Sequence, residues 1–359
     1  MKSICMTLLC TASLLMTGCS SAKRQVSTTD LPRGEANAEL CAAVDSFVTA
    51  TRQRPVRPDS IQLHSIMVLK HGQVLIERWF NGESAQKPHP MYSVSKTFTA
   101  AAVGMAIREG RLALTDKVVS FFPDKAPAEV SDNLAAMSIR DLLTMTCGHE
   151  VEPGAGVNAD SVDWMQGFLA HPVVRRPGTY FVYNSIGTYM LSAILQKVTG
   201  QKLVDYLDER LFQPLHIERP VWDESPQGIN CGGWGLNLKT EDMAKMGQCL
   251  LQGGQWNGQQ LIPAEWVKEM SSYQVPCGPA GTPLEDLERL NITPANNDWT
   301  QGYGYQMWRC RHNAFRADGY AGQYIMIFPD RDAVLVLTTR SSLYQPYLDL
   351  IWEYLLPVL

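Results

Sequence analysis

Strand-like apolar patterns occur near both ends of the chain. Two such segments flank His71-Gly72, a pair of residues that suits a two-residue hairpin turn. Two more flank residues 329–332, Pro-Asp-Arg-Asp, which read as a turn. The predicted strands are residues 65–70, 73–80, 314–328 and 333–339. This distribution predicts an antiparallel sheet built from both chain ends.

Helical periodicity covers much of the remaining chain. It is found in residues 36–52, in a run that begins at Ser93 and ends near Gly110, and in a closing segment at 343–356. From about 112 to 215 the patterns are helical and interrupted by Pro and Gly. The chain is therefore predicted to have an α+β fold, in which helices flank the antiparallel sheet.

Two further segments refine this organisation. A mainly helical region, at about 112–230, is inserted between the strands from the two chain ends. Residues 271–300 are rich in Pro, Gly and Asn, and they predict a long loop beside whatever cleft the fold forms.

The N-terminus predicts export. Lys2 precedes an apolar stretch at residues 4–16, which is too short to span a bilayer and ends at Thr17-Gly18-Cys19. The end of this stretch resembles a bacterial lipobox, which implies a signal peptide at 1–18 and a lipid on Cys19. An ordinary signal peptide cut near Gly18 and a buried N-terminal helix are the alternatives.

The lipobox resemblance also implies a location. Residues 19–35 are predicted to be a polar tether, and residues 36–359 the folded domain that follows it. Ser20 after the cysteine resembles outer-membrane sorting. The protein is therefore predicted to be lipid-anchored to a membrane, most consistently the outer membrane, and to face the periplasm.

Composition and charge fit a globular protein with a sizeable core. Apolar residues make up 45% of the chain and charged residues 19%, which argues against disorder. A formal net charge of −5 without any Lys/Arg-rich run argues against a nucleic-acid partner.

The cysteines give less information. Six of them follow the predicted tether, and none forms a Cys-x-x-Cys pair. Free buried thiols, with one bridge at most, are favoured over a disulfide framework or a zinc cluster. His149 is followed by Glu150 but has no second His at helical spacing, so we predict no metal site and no cofactor.

Residues 93–96, Ser-Val-Ser-Lys, carry the candidate chemistry. Positions i and i+3 share one face of a helix, so Lys96 would lie within reach of the Ser93 hydroxyl. A serine hydroxyl is a weak nucleophile that needs such a neighbouring base. Ser-x-x-Lys is short and occurs often by chance. Its significance therefore depends on the motifs that lie further along the chain.

Five later blocks occur in an order typical of one family. They are residues 141–149, 177–185, 232–245, 256–266 and 319–323. With the Ser-Val-Ser-Lys motif, they resemble the serine β-lactamase-related hydrolases. That group includes class C β-lactamases, penicillin-recognising DD-peptidases, and esterases and nylon-oligomer hydrolases. The resemblance runs from about residue 40 to the C-terminus and implies a β-lactamase/transpeptidase-like fold.

The resemblance also implies roles for individual residues. Ser93 would attack an acyl carbon and form an acyl-enzyme, while a neutral Lys96 takes its proton. Tyr183 would exchange a proton with Ser93 or the leaving group. The oxyanion hole would be the Ser93 N–H and the Gln323 N–H, because Gly322 falls at the family's strand glycine.

Two positions depart from the family pattern. Ser185 stands at the third position of the Tyr-x-Asn motif, where it could still bond Lys96, with Asn184 as the neighbouring alternative. Tyr320 stands where the family's strand motif opens with Lys or His. A tyrosine has no positive charge to pair with a substrate carboxylate, so carboxylated β-lactams should bind weakly.

These departures favour a hydrolase of small esters, amides or peptide-like bonds. Two alternatives stay open: a cell-wall DD-peptidase or β-lactamase, and a non-catalytic module that binds muropeptides or a partner. The predicted partners are a small acyl substrate, with a cell-wall-derived one among the options, and a membrane reached through the N-terminal lipid.

Overall fold

The structure, a computed structural model, describes residues 30–53, 61–154 and 162–359. A six-stranded antiparallel sheet has the strand order β2-β1-β10-β9-β8-β7. The strands are β1 (Gln62–Lys70), β2 (Gln73–Trp79), β3 (His89–Pro90), β4 (Asn237–Leu238), β5 (Gln255–Trp256), β6 (Gln259–Gln260), β7 (Trp308–Arg309), β8 (Phe315–Gly319), β9 (Gln323–Phe328) and β10 (Ala333–Arg340). Because β1 pairs with β10, both chain ends build the sheet, as predicted.

Helices cover both faces of this sheet. They are α1 (Ala38–Gln53), α2 (Ser95–Arg108), α3 (Val118–Phe121), α4 (Asp132–Ala136), α5 (Ile139–Leu143), α6 (Trp164–Ala170), α7 (Ser185–Thr199), α8 (Leu203–Leu207), α9 (Thr240–Leu251), α10 (Ala264–Ser271) and α11 (Tyr344–Leu350). Helices α8 and α11 each continue into a π-helical turn. The predicted α+β architecture is confirmed.

Strand alternation divides the core into two parts. In β10, Val334 and Val336 face a core that includes α2, α7 and α9. Leu335 and Leu337 face the other side, where α1 and α11 pack. Successive side chains of a strand point to opposite faces, so one apolar strand serves both cores.

The N-terminal hairpin follows the predicted pattern. His71 and Gly72 both have positive φ, at 52° and 73°, as a tight two-residue turn requires. The C-terminal strand prediction at 314–328 is wrong in one respect. The turn at residues 320–322 divides it into β8 and β9, which pair with each other.

The predicted polar tether at 19–35 extends too far into the domain. Leu31 is 3% exposed, and its N–H donates to Glu241 at 2.7 Å. Arg33 donates to Glu241 and to Glu77, and the Gly34 N–H donates to Val74 at 3.0 Å. These contacts pack residues 31–34 on the domain. The predicted signal peptide and Cys19 lie outside the described residues.

Two further findings concern membranes and cysteines. Within the described ranges, no helix has both the length and the apolar character needed to cross a bilayer. The six cysteines after residue 40 are free thiols, and five of them are buried.

Candidate active site

Ser93 lies in a tight turn at the entrance to helix α2. The turn is a 3-10 segment, Tyr92–Val94, and Tyr92 has a φ of +47°, which is costly for a bulky side chain. Ser95 Oγ helps to hold the turn by donating to the Tyr92 carbonyl at 2.6 Å. Helix α2 thus begins at Ser95, two residues later than the sequence predicts. Ser93 is partly exposed, and a substrate can reach it.

Lys96 is buried behind the nucleophile. It is 1% exposed, and its Nζ lies 2.8 Å from Ser93 Oγ, 3.2 Å from Ser185 Oγ and 2.8 Å from the Gly233 carbonyl. A carbonyl only accepts hydrogen bonds, so one N–H points to Gly233. In a neutral amine the second N–H serves Ser185. The lone pair then faces the Ser93 hydroxyl, which is the arrangement of a general base.

The environment of Lys96 favours this neutral form. Burial lowers the pKa of Lys96 to about 7, although the negative charges of Glu152 and Asp318 oppose the shift. A base whose pKa lies close to neutral pH has a large neutral fraction there and keeps useful basicity.

Tyr183 lies beside Lys96 and Ser93. Lys96 Nζ lies 4.8 Å from the centre of the Tyr183 ring, and this ring stacks on Trp308 with centroids 5.7 Å apart. Burial raises the pKa of Tyr183, and Asp318 raises it further. Tyr183 is therefore a neutral phenol at neutral pH and can donate a proton.

Ser185 is placed to contact Lys96, whereas Asn184 is not. Asn184 is fully buried as the N-cap of α7, where its Oδ1 accepts from the Gly187 N–H at 2.8 Å. Its Nδ2 lies 3.0 Å from His149 Nδ1. Asn184 is thus occupied by local structure, and it does not replace the missing asparagine of the family motif.

The Gln323 side chain and the Cα substituent position of Gly322 are directed toward β10 and α11. Gln323 is fully buried in β9, where its side-chain Oε1 accepts from the Thr339 N–H at 3.0 Å. A Cβ added at Gly322 would meet Thr339 Oγ1 at 2.4 Å and the ring of Tyr347 at 3.3 Å. These contacts tie both residues to β10 and α11.

Gly319, at the end of β8, makes the close approach instead. A Cβ at Gly319 would lie 2.5 Å from the carbonyl oxygen of Met91, which precedes the nucleophile turn. The hairpin turn reverses the chain after Gly319. The family's strand motif therefore falls three residues earlier than the sequence pattern suggests, on Ala317-Asp318-Gly319.

Tyr320 consequently lies beyond the strand, not at its opening. Its side chain is 66% exposed and meets the Tyr92 ring edge-on, with centroids 5.5 Å apart. Ala317 takes the motif's first position and is fully buried. The first position of the motif therefore lacks a positive charge, as predicted, but Ala317 occupies it and not Tyr320.

Sequence reasoning missed several groups that act on the site. Gly233 was noted only as part of a family block, yet its carbonyl fixes Lys96. Arg316 and Asp318 form a buried ion pair, with Nε and Oδ2 2.8 Å apart. Glu152 Oε1 accepts from the Ser185 N–H at 2.6 Å. The sequence did contain a signal for this ion pair, because Arg316 and Asp318 are oppositely charged residues two positions apart in a predicted strand.

Two cavities flank the group formed by Ser93, Lys96, Tyr183 and Ser185. One of about 620 Å³ is lined by Tyr92, Tyr320 and Arg340, among others. The other, of about 290 Å³, is lined by Tyr183, by Glu152 and by residues of the long loop at 279–285. The prediction that this loop lies beside the cleft is confirmed.

His149 has a packing role in this region. Its ring meets Phe168 edge-on at 4.9 Å and lies 5.1 Å from His171, and burial lowers its pKa to about 3. In the part of the chain that the structure describes, no group of three or more His, Cys, Asp or Glu side chains could hold a metal ion.

Comparison with known proteins agrees with this geometry. Residues 60–357 match the model of the β-lactamase family. The 6-aminohexanoate-dimer hydrolase of Paenarthrobacter ureafaciens is 25% identical over 317 residues, which cover 83% of this chain and 78% of that protein.

Solved structures show the same fold. A putative 6-aminohexanoate-dimer hydrolase from Bacillus anthracis aligns with a TM-score of 0.68 at 20% identity, covering 90% of this chain and 86% of that one. An octameric penicillin-binding protein homologue from Pyrococcus abyssi aligns with a TM-score of 0.65 at 18% identity, covering 88% and 76%.

The fold and the extent of the family match define a hydrolase of the serine β-lactamase-related class. The chain belongs to the β-lactamase family.

Proposed function

We propose that this hydrolase cleaves small esters, amides or peptide-like bonds through an acyl-enzyme on Ser93. One observation carries the proposal: the buried Lys96 Nζ lies 2.8 Å from Ser93 Oγ, and the Gly233 carbonyl and Ser185 Oγ are available to accept its two N–H bonds when the amine is neutral. An amine held in this way is a base for the serine hydroxyl and for little else.

In the acylation step, Ser93 Oγ bonds to the substrate's carbonyl carbon while its proton passes to Lys96. The carbonyl oxygen gains the negative charge and forms a tetrahedral intermediate. The intermediate collapses when the carbon–leaving-group bond breaks, and Tyr183 gives its hydroxyl proton to the departing oxygen or nitrogen. The Lys96 ammonium then supplies the proton that restores the phenol.

In the deacylation step, water takes the place of the leaving group. It attacks the ester carbon and gives up a proton to the same Lys96–Tyr183 pair. The bond to Ser93 Oγ breaks, and the oxygen of Ser93 recovers a proton. The carboxylic acid product leaves with Ser93 and Lys96 in their starting states.

The oxyanion needs two preorganised N–H donors. The Ser93 N–H is one of them, at the turn that enters α2. For the other we propose the Tyr320 N–H in place of the predicted Gln323 N–H, because Tyr320 follows Gly319 and Gly319 makes the close approach to the nucleophile turn.

An amide bond between small amino acids is the substrate class favoured among these. The relative from Paenarthrobacter ureafaciens is named for hydrolysis of the 6-aminohexanoate dimer, and it covers most of this chain. Cell-wall peptides are a related class of amide substrate, and the proposal includes them.

Active-site labelling tests the proposal. A fluorophosphonate should label the wild-type protein on Ser93, and intact-mass analysis should show one adduct. A fluorescent penicillin used in parallel separates the alternatives. Labelling by both reagents would indicate a penicillin-recognising enzyme, and labelling by neither would indicate a binding module.

We also propose that the protein is an exported lipoprotein, anchored through a lipid on Cys19 and facing the periplasm. The support is the short apolar stretch at residues 4–16 followed by Thr17-Gly18-Cys19. Cys19→Ser should release the protein from membranes or leave the signal peptide uncleaved. An unmodified N-terminal residue other than Cys19, found by mass spectrometry, would disprove this anchor.

A further inference from the structure

The larger cavity beside the nucleophile turn has a positively charged lining. It measures about 620 Å³, and its wall includes Tyr92, the residue before Ser93. Among the described residues that line it, Arg340 is the formal cation, His64 and His89 are titratable, and no carboxylate is present. An anionic group that entered this cavity would meet no like charge from its lining.

Arg340 offers its guanidinium to this cavity. It is the exposed last residue of β10, and its side chain forms no hydrogen bond or ion pair with any residue that the structure describes. The hydroxyl-bearing residues Ser341 and Ser342 follow it on the cavity wall. A guanidinium presents a planar fork of donors that matches a carboxylate.

A histidine pair adds a titratable charge to the same cavity. His64 Nδ1 lies 2.9 Å from His89 Nε2, and His89 Nδ1 lies 3.1 Å from the Pro90 carbonyl. Because that carbonyl only accepts, His89 carries its proton on Nδ1 and accepts the His64 Nδ1–H. The Nε2 of His64 is then left for an additional proton, which would not break the bond between the rings.

We infer that this cavity binds a carboxylate on the substrate, held by Arg340 and, once it is protonated, by the His64–His89 pair as well. The inference rests on the proposed function and names the chemistry of its substrate. It removes the reason, drawn from Tyr320, for expecting carboxylated substrates to bind weakly. That expectation was based on one strand motif alone, whereas the positive charge is on Arg340, at the end of β10.

The second cavity fixes the direction in which such a substrate lies. Its lining includes Glu150, Glu152 and Glu285, against a single cation, Arg175. These carboxylates repel a carboxylate placed on the Tyr183 side of Ser93. The two ends of a substrate are therefore distinguished by charge, which makes one binding orientation more favourable.

The charges around the histidine pair set when it responds. Burial lowers the pKa of both His64 and His89, and His89 lowers the pKa of His64 further. Glu83 raises the pKa of both rings, Lys87 lowers it, and Arg340 lowers that of His64. The additional binding should therefore develop only as the pH falls below about 6.5.

Matched ester pairs test the inference. One pair is 4-nitrophenyl butyrate and mono-4-nitrophenyl glutarate, which differ by a carboxylate on the acyl chain. The other is phenyl acetate and 4-acetoxybenzoate, which differ by a carboxylate on the leaving group. For each pair, the kcat/KM of the charged ester is divided by the kcat/KM of the neutral ester. In one of the two pairs, this charged-over-neutral ratio should be about 10-fold or more lower in Arg340→Gln than in the wild type. Arg340→Lys should recover part of the loss.

A matched arginine provides the control. Arg331 lies just before β10, at its opposite end, and Arg331→Gln should leave both ratios unchanged. Ratios that Arg340→Gln leaves unchanged, or changes no more than Arg331→Gln does, would overturn the inference. Using a ratio also cancels the titration of Lys96, which affects every substrate alike.

The pH arm tests the histidines. Between pH 8 and pH 5.5, the charged-over-neutral ratio should rise for the wild type and stay flat for His64→Gln. An identical rise in both proteins would remove the histidine pair from the inference.

A binding measurement separates this inference from the proposed function. Free glutarate should raise the melting temperature of the wild-type protein and of Arg331→Gln, but not that of Arg340→Gln. This readout needs no turnover, so it can succeed even if Ser93 is not a nucleophile. Equal shifts in all three proteins would overturn the carboxylate site, whatever the labelling of Ser93 shows.

Discussion

The two sides of the active site are built by different means. On the helix side, the entrance turns of α2 and α7 carry Ser93, Lys96 and Ser185, and contacts of 2.8 to 3.2 Å join them. On the strand side, β8 and its hairpin turn approach the nucleophile through the backbone of Gly319. The helix side supplies side chains that move protons, whereas the strand side supplies close backbone approach and charge.

This difference predicts how each side responds to substitution. A change on the helix side removes a reacting group and should reduce chemistry without unfolding the domain. A change on the strand side adds atoms where none fit, and it should alter either the nucleophile turn or the sheet.

The largest effect is expected on the helix side, from Ser93→Ala. Without the nucleophile, hydrolysis of a short-chain 4-nitrophenyl ester should fall by about 10³-fold or more. The fold should persist, because Ser93 is partly exposed and the core of α2 begins behind it. Ser120→Ala, at an exposed surface position, is the matched control. A Ser93→Ala protein with most of its activity would show that Ser93 is not the nucleophile.

The second prediction concerns the charge of Lys96. Because its pKa is about 7, kcat/KM for a neutral ester should rise as the pH increases through 7 and then level off. Lys96→Met should lose about 10³-fold in activity. A pH profile flat from 6 to 8 in the wild type would argue that Lys96 is not the base.

Lys96→Met should gain stability although it loses activity. The folded pKa of about 7 lies below the ordinary 10.5, so the unfolded chain binds more protons between these values. The cost of burying the ammonium is therefore complete below pH 7 and declines as the pH rises. Lys96→Met removes this cost, and at pH 6 its melting temperature should exceed that of the wild type by about 2 °C or more.

The same contrast explains how much of the site could be predicted from the sequence. Ser93 and Lys96 are three residues apart, and helical spacing alone is enough to place them together. Ser185 lies two residues after Tyr183, which is the spacing of the family's Tyr-x-Asn motif. These placements depend on short segments, and the geometry of each segment is largely local.

The strand side depends on pairing that no short segment reveals. Gly319 and Gly322 are three residues apart, and either can be read as the motif's glycine. The turn between them reverses the chain, so their surroundings lie on different strands. The sheet and its flanking helices were predictable from periodicity, but the register of this hairpin required knowledge of the partner strands.

A pair of glycine substitutions tests the corrected register. Gly319→Ala would place a methyl 2.5 Å from the Met91 carbonyl and shift the nucleophile turn, so kcat/KM should fall about 10-fold or more. Gly322→Ala meets Thr339 instead, at a φ of +89°. It should lower the melting temperature and leave the kcat/KM of the folded protein closer to that of the wild type. The reverse assignment of these two effects would restore the register that the sequence suggested.

The smallest effect is expected from Ser185. Its Oγ lies 3.2 Å from Lys96 Nζ, and the hydrogen bond joins the entrance of α7 to the base. A bond of this kind contributes about 0.5–1.5 kcal/mol, which corresponds to at most about a 10-fold loss of kcat/KM in Ser185→Ala. Lys96 would keep its bond to Gly233, so its pH profile should move less than one unit. Ser185→Asn restores an acceptor of longer reach and should recover activity relative to Ser185→Ala. If Ser185→Ala lost as much activity as Lys96→Met, Ser185 would take part in proton transfer itself, and the helix side would contain a third reacting group.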